Sequence, residues 1–287
     1  MLPYVALFSI IKKKKKFFII ITSILVILLL INFSPKSRYT ILLDPGHGGK
    51  LSADKGATGI DKEKTFEYTL NDSVTLKLAE ALKKEGYKVK FTREPGKDEK
   101  EVSLTKRTKI TNRIKPDLFI SIHHDSTGTV NNKSGYTIYY SSYKANLDNQ
   151  DIYIEENGHK YPFIKEVMEN GITTVYYLDA AKIKTSKGRS SVIVKDKSPC
   201  EVAKKSIKFA NILNDQMNKL DYFTPLVGSK RNAVKDNNFR VLRMANYPGV
   251  LIECGFLSNK NEVEQIKNEE NQDKLVNKIV KSVNKYF

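Results

Sequence analysis

Four histidines are the first residues in this sequence of 287 that could carry out chemistry: His47, His123, His124 and His159. His47 stands in a glycine-rich segment that directly follows a short apolar run, and His123 ends a second, nearly continuous apolar run. Both therefore fall at the carboxyl ends of predicted strands, the edge at which open α/β sheets bind ligands. Acidic residues stand near each of them, so the pair indicates a metal site.

A catalytic zinc site needs three protein ligands of nitrogen or carboxylate type and one open position. Glu67 can supply the third ligand, because a carboxylate in the first turn of a predicted helix is held favourably. Glu63 is a rival by proximity alone. Glu253 ends the apolar run Val250–Ile252, where a carboxylate could act as general base and then as general acid. Its alternative role is to cap the loop that follows.

The elements that must position these residues alternate along the chain. Apolar runs predict strands at 39–43, 87–92, 118–123, 135–140 and 250–253. Helical spacing predicts helices at 66–86, 103–113 and 198–220, the last opened by Ser198 and Pro199, and one or two helices over 261–286. This alternation predicts an α/β domain with a mostly parallel, twisted sheet that has helices on both faces.

The pattern loosens between about residues 141 and 197, which are rich in Tyr, Lys, Asn and Asp. Short strand-like pieces occur there, such as Thr173–Leu178. A connection this long inside a compact domain is usually a functional insert or a mobile lid. A solvated hairpin extension is the alternative, and the sequence fits both.

The N-terminal part predicts a membrane anchor. Lys12–Lys16 form an unbroken basic run, and Phe17–Phe33 are almost wholly apolar. The apolar stretch is long enough to cross a bilayer as a helix, and the lysines place the N-terminus in the cytoplasm. We therefore expect a cytoplasmic segment at 1–16, a transmembrane helix at 17–33 and an outer domain at 38–287. A cleaved secretory signal is the alternative.

The formal net charge of +17 raises the question of nucleic-acid binding. The lysines after the apolar stretch are scattered among acids and tyrosines, without a recognisable reading motif, so no nucleic-acid partner is expected. Diffuse positive charge suits anionic wall polymers and lipid head groups. Cys200 and Cys254, the only two cysteines, have no partner at metal-ligand spacing.

Several segments carry a family resemblance. Asp44-Pro45-Gly46-His47-Gly48-Gly49 resembles the opening motif of the family 3 N-acetylmuramoyl-L-alanine amidases, and Glu67-x-x-Leu70-Asn71 resembles their metal-binding glutamate motif. That register favours Glu67 over Glu63. Further matches follow in order: Thr92-Arg93, Leu104-x-x-Arg107, Asn112, Phe119–His123, Val241–Arg243, Pro248–Glu253 and Gly255–Asn259. The resemblance runs from about Arg38 to Phe287, apart from the insert.

The resemblance implies hydrolysis of the amide bond between N-acetylmuramic acid and L-alanine in peptidoglycan. It implies Zn²⁺ held by His47, Glu67 and His123, with Glu253 as the catalytic acid–base residue. Three further residues are candidates for substrate contacts: Arg107, His124 and Arg243. A structural ion pair is the alternative role for the two arginines.

Two departures from the family pattern concern the site. The family usually has a small residue after the second histidine, whereas this chain has His124, which could support the metal site or contact substrate. The loop between His47 and Glu67 is also longer than usual. A zinc peptidase or deacetylase of the wall would use the same ligands, and a non-catalytic wall-binding or regulatory protein is a rival of another class. The presence of both Glu67 and Glu253 favours an enzyme.

The expected partners are peptidoglycan and, through the N-terminal helix, a membrane; a protein activator is a further candidate. The expected location is the outer face of the membrane, or secretion if the N-terminal segment is cleaved. An amidase of cell division, of sporulation or of germination would carry the same motif residues, so the sequence fits all three roles.

Overall fold

The structure, a computed structural model, describes Lys15, Phe18, Ile20 and Thr22, and residues 35–97, 101–130, 132–145, 147, 152–169, 172–187, 192–195, 199–222 and 233–287. The expected cytoplasmic segment and anchor therefore lie outside the described residues, except for these four helical positions. No helix in the described part of the chain is long and apolar enough to span a bilayer. The transmembrane anchor stays a prediction.

Strands and helices alternate as expected outside the insert. The described strands are β1 (Thr40–Pro45), β2 (Lys88–Phe91), β3 (Leu118–Asp125), β4 (Thr137–Tyr140), β5 (Ile152–Glu156), β6 (His159–Glu169), β7 (Ile172–Asp179), β8 (Lys182–Lys187), β9 (Val192–Lys195), β10 (Val234–Asp236) and β11 (Gly249–Phe256). The described α-helices are α1 (Glu67–Lys84), α2 (Leu104–Ile114), α3 (Glu201–Met217), α4 (Arg240–Arg243), α5 (Lys260–Lys267) and α6 (Glu269–Tyr286).

Six strands form the main sheet in the order β10-β4-β11-β3-β1-β2. Four neighbouring pairs run parallel, and only β4 and β11 run antiparallel. The prediction of a mostly parallel sheet is confirmed. Because β1, β3 and β11 lie side by side and run in one direction, their carboxyl ends meet at a single edge of the sheet.

Helices cover both faces of this sheet. Successive side chains of β1 point to opposite faces, and those on each face pack against helices. Ile41 and Leu43 are fully buried in a large apolar cluster with side chains of α1, α3 and α6. Leu42, between them, is buried on the opposite face with Val241 and Leu242 of α4. Each such aliphatic side chain stabilises the fold by about 1.5–3 kcal/mol through burial. The prediction of a sheet covered on both faces is confirmed.

The insert contains a second sheet, which the sequence did not reveal beyond the strand-like piece inside β7. Five antiparallel strands pair in the order β8-β7-β6-β5-β9. A small apolar cluster of Ile154, Val175 and Tyr177 supports it, with Tyr161 and Phe163 packed alongside. The insert is therefore a folded sheet, larger than a single hairpin extension.

The predicted start of α3 is wrong, whereas the prediction of one or two helices at the C-terminus is confirmed. Helix α3 begins at Glu201 with extended Cys200 as its cap residue, so Pro199 precedes the cap and the predicted start is wrong. Ser198 lies outside the described residues. At the terminus there are two helices, which separate at Asn268 because its side chain accepts a hydrogen bond from the Asn271 backbone and caps α6.

Candidate functional site

The loop after β1 presents His47 at the carboxyl edge of the sheet. His47 has a φ of 61°, in the left-handed region that residues other than glycine rarely adopt. Its carbonyl accepts hydrogen bonds from Arg107 and, at 2.8 Å, from Arg93 Nε. Arg93 Nη2 also donates to the carbonyl of Gly46 at 3.1 Å. Two guanidinium groups therefore hold this unusual backbone in place.

Arg107 is itself fixed by a buried carboxylate. Its Nη1 lies 2.6 Å from Asp44 Oδ1, and Ser121 Oγ donates to Asp44 Oδ2 at 2.7 Å. Burial alone would raise the pKa of Asp44, but Arg107 and the hydroxyl donors Thr92 and Ser121 outweigh it and lower that pKa. Arg107 is only 3% exposed. The arrangement favours the ion-pair alternative, and a substrate contact by Arg107 stays a prediction without support here.

Glu67, at the start of α1, lies between the two expected histidine ligands. Its Oε2 is 3.0 Å from His47 Nε2, and its Oε1 is 2.9 Å from His123 Nδ1. The rings of the two histidines are 4.9 Å apart between centroids and nearly perpendicular. The structure thus brings together the three residues that the sequence assigned to the metal.

Backbone donors hold the Glu67 carboxylate from the other side. The N–H of Ala57 donates to Oε2 at 2.9 Å, and the N–H of His124 donates to Oε1 at 3.1 Å. Burial would raise the pKa of Glu67, but His123 and His47 outweigh it and keep that pKa far below its ordinary value. The carboxylate is therefore ionised and oriented, as a metal ligand must be.

Asp54 completes the surroundings of His47 and was not among the residues predicted from the sequence. Its Oδ1 lies 2.6 Å from His47 Nδ1. Burial lowers the pKa of His47, but hydrogen bonds and charges from Asp54 and Glu67 outweigh it and raise that pKa to about 10. A proton kept on Nδ1 by Asp54 leaves Nε2 as the nitrogen that faces the site. The signal that could have found Asp54 is an acidic residue in the loop between two ligands.

Glycine is required at two positions of the loop between β1 and α1, because the side chains of candidate ligands lie against the backbone there. A Cβ at Gly46 would lie 2.3 Å from Cε1 of His123. A Cβ at Gly56, whose φ is +72°, would lie 2.4 Å from Glu67 Oε2. The glycines therefore allow the backbone to pack directly against the three ligands.

The donor set fits zinc. The ligand atoms of His47, Glu67 and His123 all lie within 4.8 Å of one another. Two imidazole nitrogens and one carboxylate are a ligand set of catalytic zinc sites. Glu63, the rival, instead forms an ion pair with Lys267 at 2.8 Å and is absent from this group.

Glu253 lies beside this group on the neighbouring strand. In the sheet register it stands opposite His123. Its Oε2 is inaccessible and has no hydrogen-bond partner among the residues that the structure describes. Burial raises the pKa of Glu253 well above its ordinary value, and the charges of Glu67 and Asp125 raise it further. A carboxylate left unpaired next to a candidate metal site is poised to take up a proton.

The side chains of Arg243, His124 and His159 do not belong to the candidate ligand group. Arg243 pairs with Glu166 of β6, with Nη2 2.6 Å from Oε2, so the arrangement favours the structural ion pair over a substrate contact. His124 is 2% exposed and faces Asn71. Burial lowers the pKa of His124 to about 4. His159 belongs to the inserted sheet and is exposed.

The sequence profile of the N-acetylmuramoyl-L-alanine amidases matches residues 41–285. Among curated proteins, N-acetylmuramoyl-L-alanine amidase AmiC of Escherichia coli is 27% identical over 248 residues, which cover 86% of this chain and 52% of that protein. The probable cell wall amidase LytH of Staphylococcus epidermidis is 27% identical over 259 residues, which cover 90% of this chain and 61% of that protein. The chain thus spans between half and two thirds of the length of these relatives.

Solved structures agree on the fold. The N-acetylmuramoyl-L-alanine amidase from Clostridium difficile 630 matches with a TM-score of 0.59 and 25% identity, covering 86% of this chain and 96% of that chain. The CwlD amidase from Clostridioides difficile, solved in complex with the GerS lipoprotein, matches with a TM-score of 0.56 and 23% identity, covering 86% and 98%.

Proposed function

This chain belongs to the N-acetylmuramoyl-L-alanine amidase family, and from that membership we propose that it hydrolyses the amide bond between N-acetylmuramic acid and L-alanine in peptidoglycan. The observation that carries the proposal is the convergence of His47, Glu67 and His123 beside the unpaired carboxylate oxygen of Glu253. A family resemblance without this geometry would leave a wall-binding protein as an equal candidate.

Zinc is the proposed cofactor, held by His47, Glu67 and His123. When bound there, it would supply Lewis-acid polarisation of the scissile carbonyl and lower the pKa of water. The chain prepares the ligands in advance: Asp54 orients the ring of His47, and two backbone N–H groups orient the carboxylate of Glu67. Ligands oriented in this way need little rearrangement to bind a cation.

Glu253 is the proposed acid–base residue. Its pKa lies well above the ordinary glutamate range, which makes the carboxylate a stronger base than an exposed one. It takes the proton of the attacking water and returns it to the leaving nitrogen of L-alanine. The neighbouring charges of Glu67 and Asp125 favour the protonated form between these two transfers.

A zinc peptidase or a deacetylase of the wall would use the same four residues, and family membership favours the amidase. We also propose an extracytoplasmic location, with residues 17–33 as a retained anchor. The basic run before this stretch supports it. An activator is proposed as a partner, since the related CwlD amidase was solved in complex with a lipoprotein.

The decisive experiment for the substrate is mass spectrometry of fragments released from purified peptidoglycan by the zinc-loaded protein. The amidase predicts free stem peptides that begin with L-alanine and glycan strands without peptides. Cleavage inside the stem peptide, or loss of acetyl groups alone, would contradict the proposal in favour of the rival enzymes. Wall binding without release of any fragment would favour the non-catalytic rival.

A further inference from the structure

The carboxylate of Glu67 has a side-chain partner that the mechanism above does not use. Asn71 lies one turn further along α1 and is fully buried. Its Nδ2 donates to Glu67 Oε1 and to the carbonyl of Gly46, each at 3.3 Å. One amide group therefore joins the carboxylate ligand to the backbone of the loop that presents His47.

Two acceptors set the orientation of this amide, and His124 holds its other end. The carbonyl of Gly46 and the ionised carboxylate of Glu67 only accept hydrogen bonds, so the Nδ2 end of Asn71 must face them. Its Oδ1 end then faces Nδ1 of His124 at 2.8 Å, and this nitrogen must carry the proton. Without that donor, the buried Oδ1 of Asn71 would lose this partner, and the amide could rotate out of line with the carboxylate.

We propose that Asn71 and His124 are positioning residues, with His124 fixing the amide in the orientation that lets Asn71 hold Glu67 as a metal ligand. The inference rests on the proposed role of Glu67 in zinc binding. The ring of His124 is buried against Asn71, so it acts through this amide and contacts neither metal nor substrate. Its backbone N–H, which also donates to Glu67, is unaffected by changes of the side chain.

The test is the zinc affinity of the purified full-length protein, measured by competition with a chelator at neutral pH. Loss of such an outer partner typically weakens metal binding about 10–100-fold, which is the loss we expect for Asn71→Leu. His124→Leu should weaken binding in the same direction. His124→Asn keeps an amide donor near the position of Nδ1 and should restore affinity close to that of the unchanged protein.

The double variant Asn71→Leu/His124→Leu should bind zinc no more weakly than Asn71→Leu alone, because the two residues act in series. Thr75→Val is the matched control. Thr75 lies one further turn along α1 and is fully buried, and its hydroxyl has no hydrogen-bond partner in the described ranges of the chain. This control should leave zinc affinity unchanged.

Unchanged zinc affinity in folded Asn71→Leu or His124→Leu would overturn the inference, as would equal losses in His124→Leu and His124→Asn. Circular dichroism of the metal-free proteins checks folding, and an alanine variant replaces a leucine variant that does not fold. His47→Ala separates this inference from the proposed function. If His47→Ala loses zinc while Asn71→Leu keeps full affinity, only the positioning role fails. If the unchanged protein binds no zinc, both fail.

Discussion

Two glutamates, Glu67 on α1 beside the main sheet and Glu166 in the inserted sheet, are both buried. Different partners compensate the cost of burying each carboxylate. The two glutamate side chains are 5% and 1% exposed. Glu67 faces two histidines, whereas Glu166 faces Arg240 and Arg243 at 2.9 and 2.6 Å. A neutral imidazole has a lone pair to offer a cation, but a guanidinium is permanently charged and only donates. The first arrangement can exchange its protons for a metal ion, and the second can only hold two elements together.

The two glutamates therefore have different roles: Glu67 is a candidate metal ligand, and Glu166 holds parts of the fold together. Glu166 lies on β6 and pairs with both arginines of α4, the short helix that precedes β11. The inserted sheet is thereby fastened to the segment that leads to Glu253. A mobile lid would need a contact that opens easily, and a buried charge pair does not, because it would leave uncompensated charges behind.

The largest expected effect is the loss of zinc on removal of a histidine beside Glu67. His47→Ala and His123→Ala should each abolish stoichiometric zinc, because each removes one of three ligands. His124→Ala and His159→Ala should retain stoichiometric zinc, as neither residue belongs to the ligand group. Metal content of the purified proteins by mass spectrometry is the measurement. Zinc retained by His123→Ala but lost by His124→Ala would show that the ligand assignment is wrong by one residue.

For Glu166, the comparison predicts an effect on the stability of the fold and none on the candidate metal ligands. Glu166→Gln should lower the free energy of unfolding by about 3–5 kcal/mol, the usual cost of leaving a buried partner charge uncompensated. Glu155→Gln, at an exposed position of the adjacent strand β5, is the control and should change little. Denaturant titration measures both. Equal stability of the two variants would mean that the inserted sheet is not fastened through Glu166.

Glu262 is a third buried carboxylate to compare, and it forms no ion pair within the described part of the chain. It accepts hydrogen bonds from the backbone of Gly135 and Phe256, and burial raises its pKa from 4.5 to about 7. The unfolded chain therefore releases this proton at lower pH than the folded chain. Stability should fall by up to about 3 kcal/mol as the pH rises from 4.5 to 7.

Glu262→Gln should reduce this pH dependence, since an amide does not titrate. Thermal unfolding of both proteins across this pH range is the measurement. An identical slope in the two proteins would assign the pH dependence to other groups.

The smallest effect is expected at an exposed ion pair of the inserted sheet. Lys184 lies 2.8 Å from Asp179, but solvent screens exposed pairs, and their contribution is often undetectable. Lys184→Gln should therefore leave the unfolding midpoint unchanged within error. A loss of stability as large as that of Glu166→Gln would show that burial does not explain the difference between the buried and the exposed ion pair.

The sequence predicted five of the six strands of the main sheet, all but β10, and it also indicated the candidate ligand group, because local signals carry both. Apolar runs mark β1, β3 and β11, and His47, His123 and Glu253 stand at or near the ends of those runs. The sequence could not predict Asp54 as a partner of His47, because this hydrogen bond depends on loop geometry that no spacing records. It also could not predict that Glu166 pairs with Arg240 and Arg243, which lie more than 70 residues away along the chain. Pairing in the inserted sheet likewise joins strands whose sequences lack a clear apolar period.

The most direct test of the central claim measures zinc content and amide-cleavage rate together in Glu253→Gln and Glu67→Gln. If Glu253 transfers protons, Glu253→Gln should keep zinc and lose about 10²–10⁴-fold in rate, the usual contribution of general acid–base catalysis. Glu67→Gln should lose zinc affinity itself, because a neutral amide is a poorer ligand. Cleavage by Glu253→Gln at the unchanged rate would contradict the account, and loss of zinc from Glu253→Gln but not from Glu67→Gln would exchange the two roles.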